Sequence, residues 1–195
     1  MSATAAAMGL VPVYHPSGLI RADAFTILPT YASAIFKGDP VILGANGTVT
    51  VGTAAAALMG VFAGCEYVDS TGKPTVSNFY PAAQAVQSGS VITAWVYTDP
   101  SIVYEIQAVG QLSATLATAM AYIGDEADIT YVAGSTSTGI SACNLNTAAM
   151  AAAGNQKQFR IVGAGLAPEN AITDAYPVLR VTLANTQLRA PTTAV

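Results

Sequence analysis

The sequence predicts an all-β protein, mainly strand with one or two short helices, built as β-sandwich or small-barrel modules behind an extended N-terminal arm. Three observations predict it. Apolar runs are short and closely spaced, Gly, Asn and Pro punctuate them, and only one stretch carries clear helical spacing. No repeat of fixed period is present.

The elements follow in order. Residues 1–30 read as an arm, because Val11-Pro12-Val13-Tyr14-His15-Pro16-Ser17-Gly18 has prolines and a glycine without helical or alternating periodicity. Its removal as far as residue 20 is expected to leave the core folded. Lys37-Gly38-Asp39-Pro40-Val41-Ile42-Leu43 and Thr48-Val49-Thr50-Val51 flank Gly44-Ala45-Asn46-Gly47, a strand–turn–strand pattern, since Asn-Gly accepts the positive φ of a tight hairpin. Val61 to Val68 and Thr75 to Tyr80 form a second hairpin around Asp69-Ser70-Thr71-Gly72-Lys73-Pro74. Both alternating faces of Val91 to Tyr97 are largely apolar, which predicts a strand covered on both sides with Trp95 as a core anchor. After Asp99-Pro100, Ile102 to Gln107 alternates apolar residues against Glu105 and Gln107 and so has one wet face.

Leu112, Leu116 and Met120 recur at helical spacing. Ile129–Val132 and Ile140–Leu145 read as a third hairpin or a loop pair, and Thr147 to Gly154 as either a short helix or an irregular crossing. Gln158–Gly163 and Tyr176–Leu183 are the last strands. The expected organisation is an arm (1–30), a first module (31–86), a second module (87–185) and a tail (186–195), with a seam near Gln84–Ser90 or a weave between the modules.

Composition narrows function. Only 9% of residues are charged and 52% are hydrophobic, so the surface is built from Ala, Thr, Ser, Gly, Asn and Gln and is cheap to desolvate. A chain so poor in charge is expected to cover a large area with other subunits or a partner. The net charge is −4 and the 7 basic residues are scattered, which argues against direct nucleic-acid binding. The first basic residue is Arg21, so a secretory signal is not expected and the protein is expected to be used without export. The stretch Ala54 to Cys65 is far short of a membrane helix.

Candidate chemistry is sparse. Cys65 and Cys143 lack companions at metal spacing and read as reduced, partly buried small hydrophobes, with a bridge between them as the alternative. The single histidine, His15, is the one base a Ser or Cys nucleophile would have, and it reads as a surface or interface side chain. Asp125-Glu126-Ala127-Asp128 spells a helicase string without a phosphate-binding loop; its carboxylates read as a solvated turn, with calcium as the alternative. Glu66, Asp69, Asp99 and Glu105 could supply a glycosidase pair, but nothing selects two of them. Phe79, Tyr80, Trp95, Tyr97 and Tyr104 read as core or interface aromatics in preference to a sugar platform. The expectation is no catalytic, metal or cofactor-binding residue.

Gly60-Val61-Phe62-Ala63-Gly64-Cys65-Glu66-Tyr67-Val68-Asp69, followed by Gly72-Lys73-Pro74 and Ser77-Asn78-Phe79-Tyr80-Pro81, resembles tailed-phage virion structural proteins of the capsid decoration (cement) kind. Asp99 to Gln107, Gly139-Ile140-Ser141, Phe159 to Gly163 and Tyr176 to Leu183 running into Asn185 are similar to further strands of those proteins. The likeness lies in Gly, Pro and apolar patterning across most of residues 8–188. Lambda-type decoration proteins are smaller than this chain. The resemblance implies a non-enzymatic protein, assembled in the host cytoplasm, that binds the major capsid protein on the outer surface of the virion, commonly as a homotrimer. The alternatives are a minor tail, fibre or vertex component, a carbohydrate-binding β module and, last, a hydrolase.

Overall fold

A computed structural model describes residues 4–151 and 157–188. The chain is mainly β, as its sequence predicts. In order, the strands are β1 (Val11–Tyr14), β2 (Asp23–Ile27), β3 (Ile35–Phe36), β4 (Pro40–Leu43), β5 (Val49–Val51), β6 (Gly60–Val68), β7 (Pro74–Ser77), β8 (Phe79–Tyr80), β9 (Ile92–Tyr97) and β10 (Val103–Gln107). A short helix α1 (Leu116–Ala121) precedes β11 (Glu126–Ala127), β12 (Ile129–Thr130), β13 (Asn144–Leu145), β14 (Phe159–Ala164) and β15 (Val178–Leu183). One antiparallel sheet runs β2-β9-β6-β4-β5 with β7 also on β6; the other runs β1-β10-β15-β14-β11.

The three expected hairpins form, the second and third shorter than expected: Phe79–Tyr80 leave the second to pair with β3, and the third pairs only Ile129–Thr130 with Asn144–Leu145. β4 pairs with β5 through a turn closed by Gly47 N–H to Gly44 C=O at 2.9 Å, with Gly47 at φ +71°. In the β6–β7 turn, Asp69 Oδ1 accepts from the Thr71 and Lys73 amides at 2.8 and 3.0 Å, which fixes the reversal. β12 and β13 pair across the third loop.

The arm is the first correction. β1 pairs with β10 and β2 with β9, so residues 11–14 and 23–27 are edge strands of the two sheets. Pro12 argues against a central strand, but an edge strand tolerates a proline. Leu10 is 1% exposed within the second sheet's core, so deletion to residue 20 would cut into the core.

The module boundary also moves. β9 lies between β2 and β6 in the first sheet, and the chain crosses to the second sheet at the Asp99-Pro100 turn. The modules interweave, since β1 belongs to the later sheet. Trp95 is not a core anchor: Ile92, Ala94 and Val96 are fully buried, whereas Thr93, Trp95 and Tyr97 alternate onto the other face and stay half-buried. On that second face Tyr97 and, on β6, Val61 pack with the second core. Gly60 begins β6 at a close approach, because a Cβ there would lie 2.2 Å from the Tyr97 carbonyl oxygen.

Thr147–Ala149 is one 3-10 turn, capped by the Asn146 side chain accepting from Ala148 N–H, and residues 152–154 of the expected helix lie outside the described residues. Of the expected tail, Thr186 and Gln187 pair with Leu58, while 189–195 also lie outside the described residues.

Two cores result, one around Phe62, Tyr80 and Ile92 and one around Tyr104, Ile106 and Phe159. Main-chain bonds stitch them together: Lys37 N–H to Gly139 C=O at 3.0 Å, Ser141 N–H to Lys37 C=O at 2.9 Å, and Leu58 N–H to Asn185 C=O at 3.0 Å. Cys65 lies in the first core and Cys143 in the second, both unbridged. Burial pushes both thiols up to about 12. At pH 8 the native protein should therefore react with a maleimide roughly a thousandfold more slowly than free cysteine, and a stoichiometric burst of labelling would contradict this burial.

Candidate interaction surface

The side chains singled out for chemistry are occupied in holding the fold. His15 follows β1. Its Nε2 lies 3.1 Å from Asp99 Oδ2, and its Nδ1 faces Ser17 Oγ at 2.6 Å and Ser17 N–H at 3.1 Å. An Nδ1 that accepts the Ser17 amide proton leaves Nε2–H to donate to Asp99. Ser17 belongs to the same turn as His15, so the trio pins the turn after β1 to the turn before β10. Asp99 also accepts Ser101 N–H at 2.8 Å, and that bond leads in holding its carboxyl below the usual range.

The acidic string is not a solvated turn. Glu126 and Asp128 are 3% and 8% exposed. Glu126 stands opposite Arg160 in the β11–β14 ladder; it accepts Arg160 Nη2 at 2.7 Å and Lys157 N–H at 3.0 Å. Asp128 accepts Lys157 Nζ at 2.8 Å and Gln158 N–H at 3.2 Å. Cations thirty residues away in sequence compensate the carboxylates, which is how charge survives burial. Among the described residues, no group of three or more His, Cys, Asp or Glu side chains is placed to hold a metal ion.

The four carboxylates considered for a glycosidase pair are dispersed. Glu66 is exposed on β6, Asp69 closes the next turn, Asp99 holds His15, and Glu105 on β10 accepts Leu166 N–H at 3.3 Å. Apart from Trp95, which is half-buried on β9, the aromatic residues considered for a platform pack within the fold. Tyr80 and Tyr104 are fully buried, Phe79 stacks on Phe36 with ring centroids 5.6 Å apart, and Tyr97 packs on the second core.

What the fold leaves open is apolar surface. On the outer face of the first sheet, Glu66 stands between Val76 and Thr93, and Val76 is 82% exposed beside Val91. These residues line a shallow groove with Tyr67, Val68 and Pro74. The spacing of Leu116 and Met120 does fall in a short helix, α1, in which Ala119 is buried and Leu116 and Met120 are exposed. Leu166 beyond β14 is 76% exposed. Single exposed apolar residues are ordinary; several large ones on a chain with 9% charge are not.

Two of the edge strands are blunted. Pro12 on β1 and Pro74 on β7 have no N–H to offer an added strand, a known way of blunting an edge. Among the described residues no helix is long and apolar enough to cross a membrane. No family model, curated protein or solved structure matches the chain.

Proposed function

We propose that this chain is a non-enzymatic capsid decoration protein that binds the major capsid protein lattice on the outside of a phage head as a homotrimer. The observation that carries the assembly part is the set of large apolar side chains open to solvent, Val76, Val91, Leu116 and Leu166 among them, on a surface with few charges to oppose association. The phage part rests on the patterns of Gly60–Asp69, Asp99–Gln107 and Phe159–Gly163. The mechanism is area multiplied by valency. A standard interface removes roughly 1,600 Å² from water, and a symmetric oligomer touching several shell subunits makes each later contact effectively intramolecular.

The test is saturable binding of the purified protein to empty shells that lack it, measured by co-sedimentation. Binding with a fixed lattice stoichiometry is expected, and absence of binding overturns the reading. Charged replacements Val76→Asp, Leu116→Asp and Leu166→Asp should each leave folding stability within about 0.5 kcal/mol. At least one should weaken shell binding or trimer formation tenfold or more. If all three leave both properties unchanged, the exposed apolar faces are not the interface.

A further inference from the structure

Among the described residues, four amide side chains grip main chain through both their oxygen and their nitrogen. Gln158 donates to Thr53 and Ala56 carbonyls, Asn170 both accepts from and donates to Val178, and Gln187 does the same to Leu43. The fourth, Gln107 at the end of β10, is 3% exposed. Its Oε1 accepts Ala6 N–H at 2.6 Å, and its Nε2 donates to Thr4 C=O at 3.1 Å and Tyr176 C=O at 3.4 Å.

The Gln107 clasp differs from the others in what it holds. The other three grip segments built into the sheets or the loops joining them. Gln107 grips residues 4–7, whose side chains are all exposed, so recognition is of backbone atoms alone and Ala5, Ala6 and Ala7 meet no steric selection. The segment joins the fold at a fixed post. Gly9 has φ +65°, a Cβ there would fall 2.5 Å from Ser141 Cβ, and Leu10 N–H is bonded to Gly38 C=O at 2.9 Å. Residues 4–8 therefore form a tether of roughly 17 Å when extended, gripped at its outer part, among the described residues, by the Gln107 side chain.

We propose that this clasp is an exchange site, in which residues 4–7 of one copy occupy the Gln107 clasp of a neighbouring copy in the assembled protein. This rests on the reading of the chain as an oligomer. The contacts are identical within and between copies, so the choice is set by proximity, and a neighbour within reach of the tether competes at a comparable millimolar effective concentration. Exchange of an identical element is a low-cost way to link protomers. Backbone-directed recognition of an extended segment is the physics by which strands are added in trans. The blunted edges at Pro12 and Pro74 leave this side-chain clasp as a way of capturing another copy's backbone without extending a sheet.

The experiment uses the full chain carrying Thr4→Cys and Tyr176→Cys, positions whose carbonyls share Gln107 Nε2. The assembled protein is oxidised and run on a non-reducing denaturing gel; the buried Cys65 and Cys143 do not compete. Exchange predicts covalent multimers. An internal link or no link in an assembled oligomer overturns the exchange alone. A monomer at every concentration, measured by native mass spectrometry, overturns the assembly reading and the exchange with it. Should the double variant fail to fold, Ala6→Pro decides, because it removes the exposed segment's N–H that Gln107 accepts: exchange predicts an oligomer that dissociates at a concentration roughly tenfold higher or more, and an unchanged dissociation concentration overturns the proposal.

Discussion

Gln158→Ala should lower unfolding stability by roughly 2–4 kcal/mol, among the largest losses a single polar residue can cause here. Gln158 is fully buried. Its Oε1 accepts the buried Ile129 N–H at 3.1 Å, while Nε2 donates to Thr53 and Ala56 carbonyls at 2.7 and 3.0 Å. Truncation strands one buried donor, leaves two carbonyls to find water and opens a cavity between the sheets. It also releases a loop in which Ala55 is held at φ +65°, a conformation that costs a non-glycine residue free energy. Gln158→Leu fills the volume without restoring a bond, so it should be nearly as damaging. Urea unfolding checks both, and a loss below about 1 kcal/mol for either would mean that the clasp does not tie the modules together.

Asp39 is the second such site and adds a pH dependence. It is fully buried at the seam, where its Oδ2 accepts Phe36 N–H at 2.8 Å. Ser141 and Cys143 bond to it from the other module. Among the described residues it has no ion-pair partner. Burial pushes its carboxyl above the usual range, and the hydrogen bonds from Ser141, Phe36 and Cys143 only partly offset that. The folded protein therefore holds this proton more tightly than the unfolded chain. Its contribution is fully present below the unfolded value of about 3.9 and is lost as pH rises through the raised folded value.

Asp39→Asn removes the titration and keeps an oxygen for Phe36 N–H. The stability difference between wild type and this variant should shift in favour of Asn as pH rises from acid to neutral. Asp69 and Asp99, whose carboxyls are held low, act in the opposite sense as pH falls, but both proteins carry them, so they cancel in the difference. Asp39→Ala strands the Phe36 amide and should cost roughly 1–3 kcal/mol at every pH. Urea midpoints at several pH values measure all three proteins, and parallel wild-type and Asn curves would contradict the account.

The turns were the most legible part of the sequence. Asn46-Gly47 and Gly72-Lys73-Pro74 carry local backbone requirements, and the hairpins they predict are present. β1 was hidden by Pro12, which is compatible with an edge strand but erases the alternation that marks one. Trp95 is illegible for a related reason: periodicity tells which residues share a face, not which face meets the core. Glu126 and Asp128 looked solvated because their cations, Lys157 and Arg160, are supplied by a later strand and its approach. Gln107 and Gln158 were least legible, since a buried amide that grips backbone has the same sequence signature as a polar residue facing water.

The central claim is that this polypeptide coats a shell. The most direct test is its copy number in purified phage particles relative to the major shell protein, by quantitative mass spectrometry. Decoration across the lattice predicts a ratio near one. A few copies per particle, or absence from the particle, would contradict it.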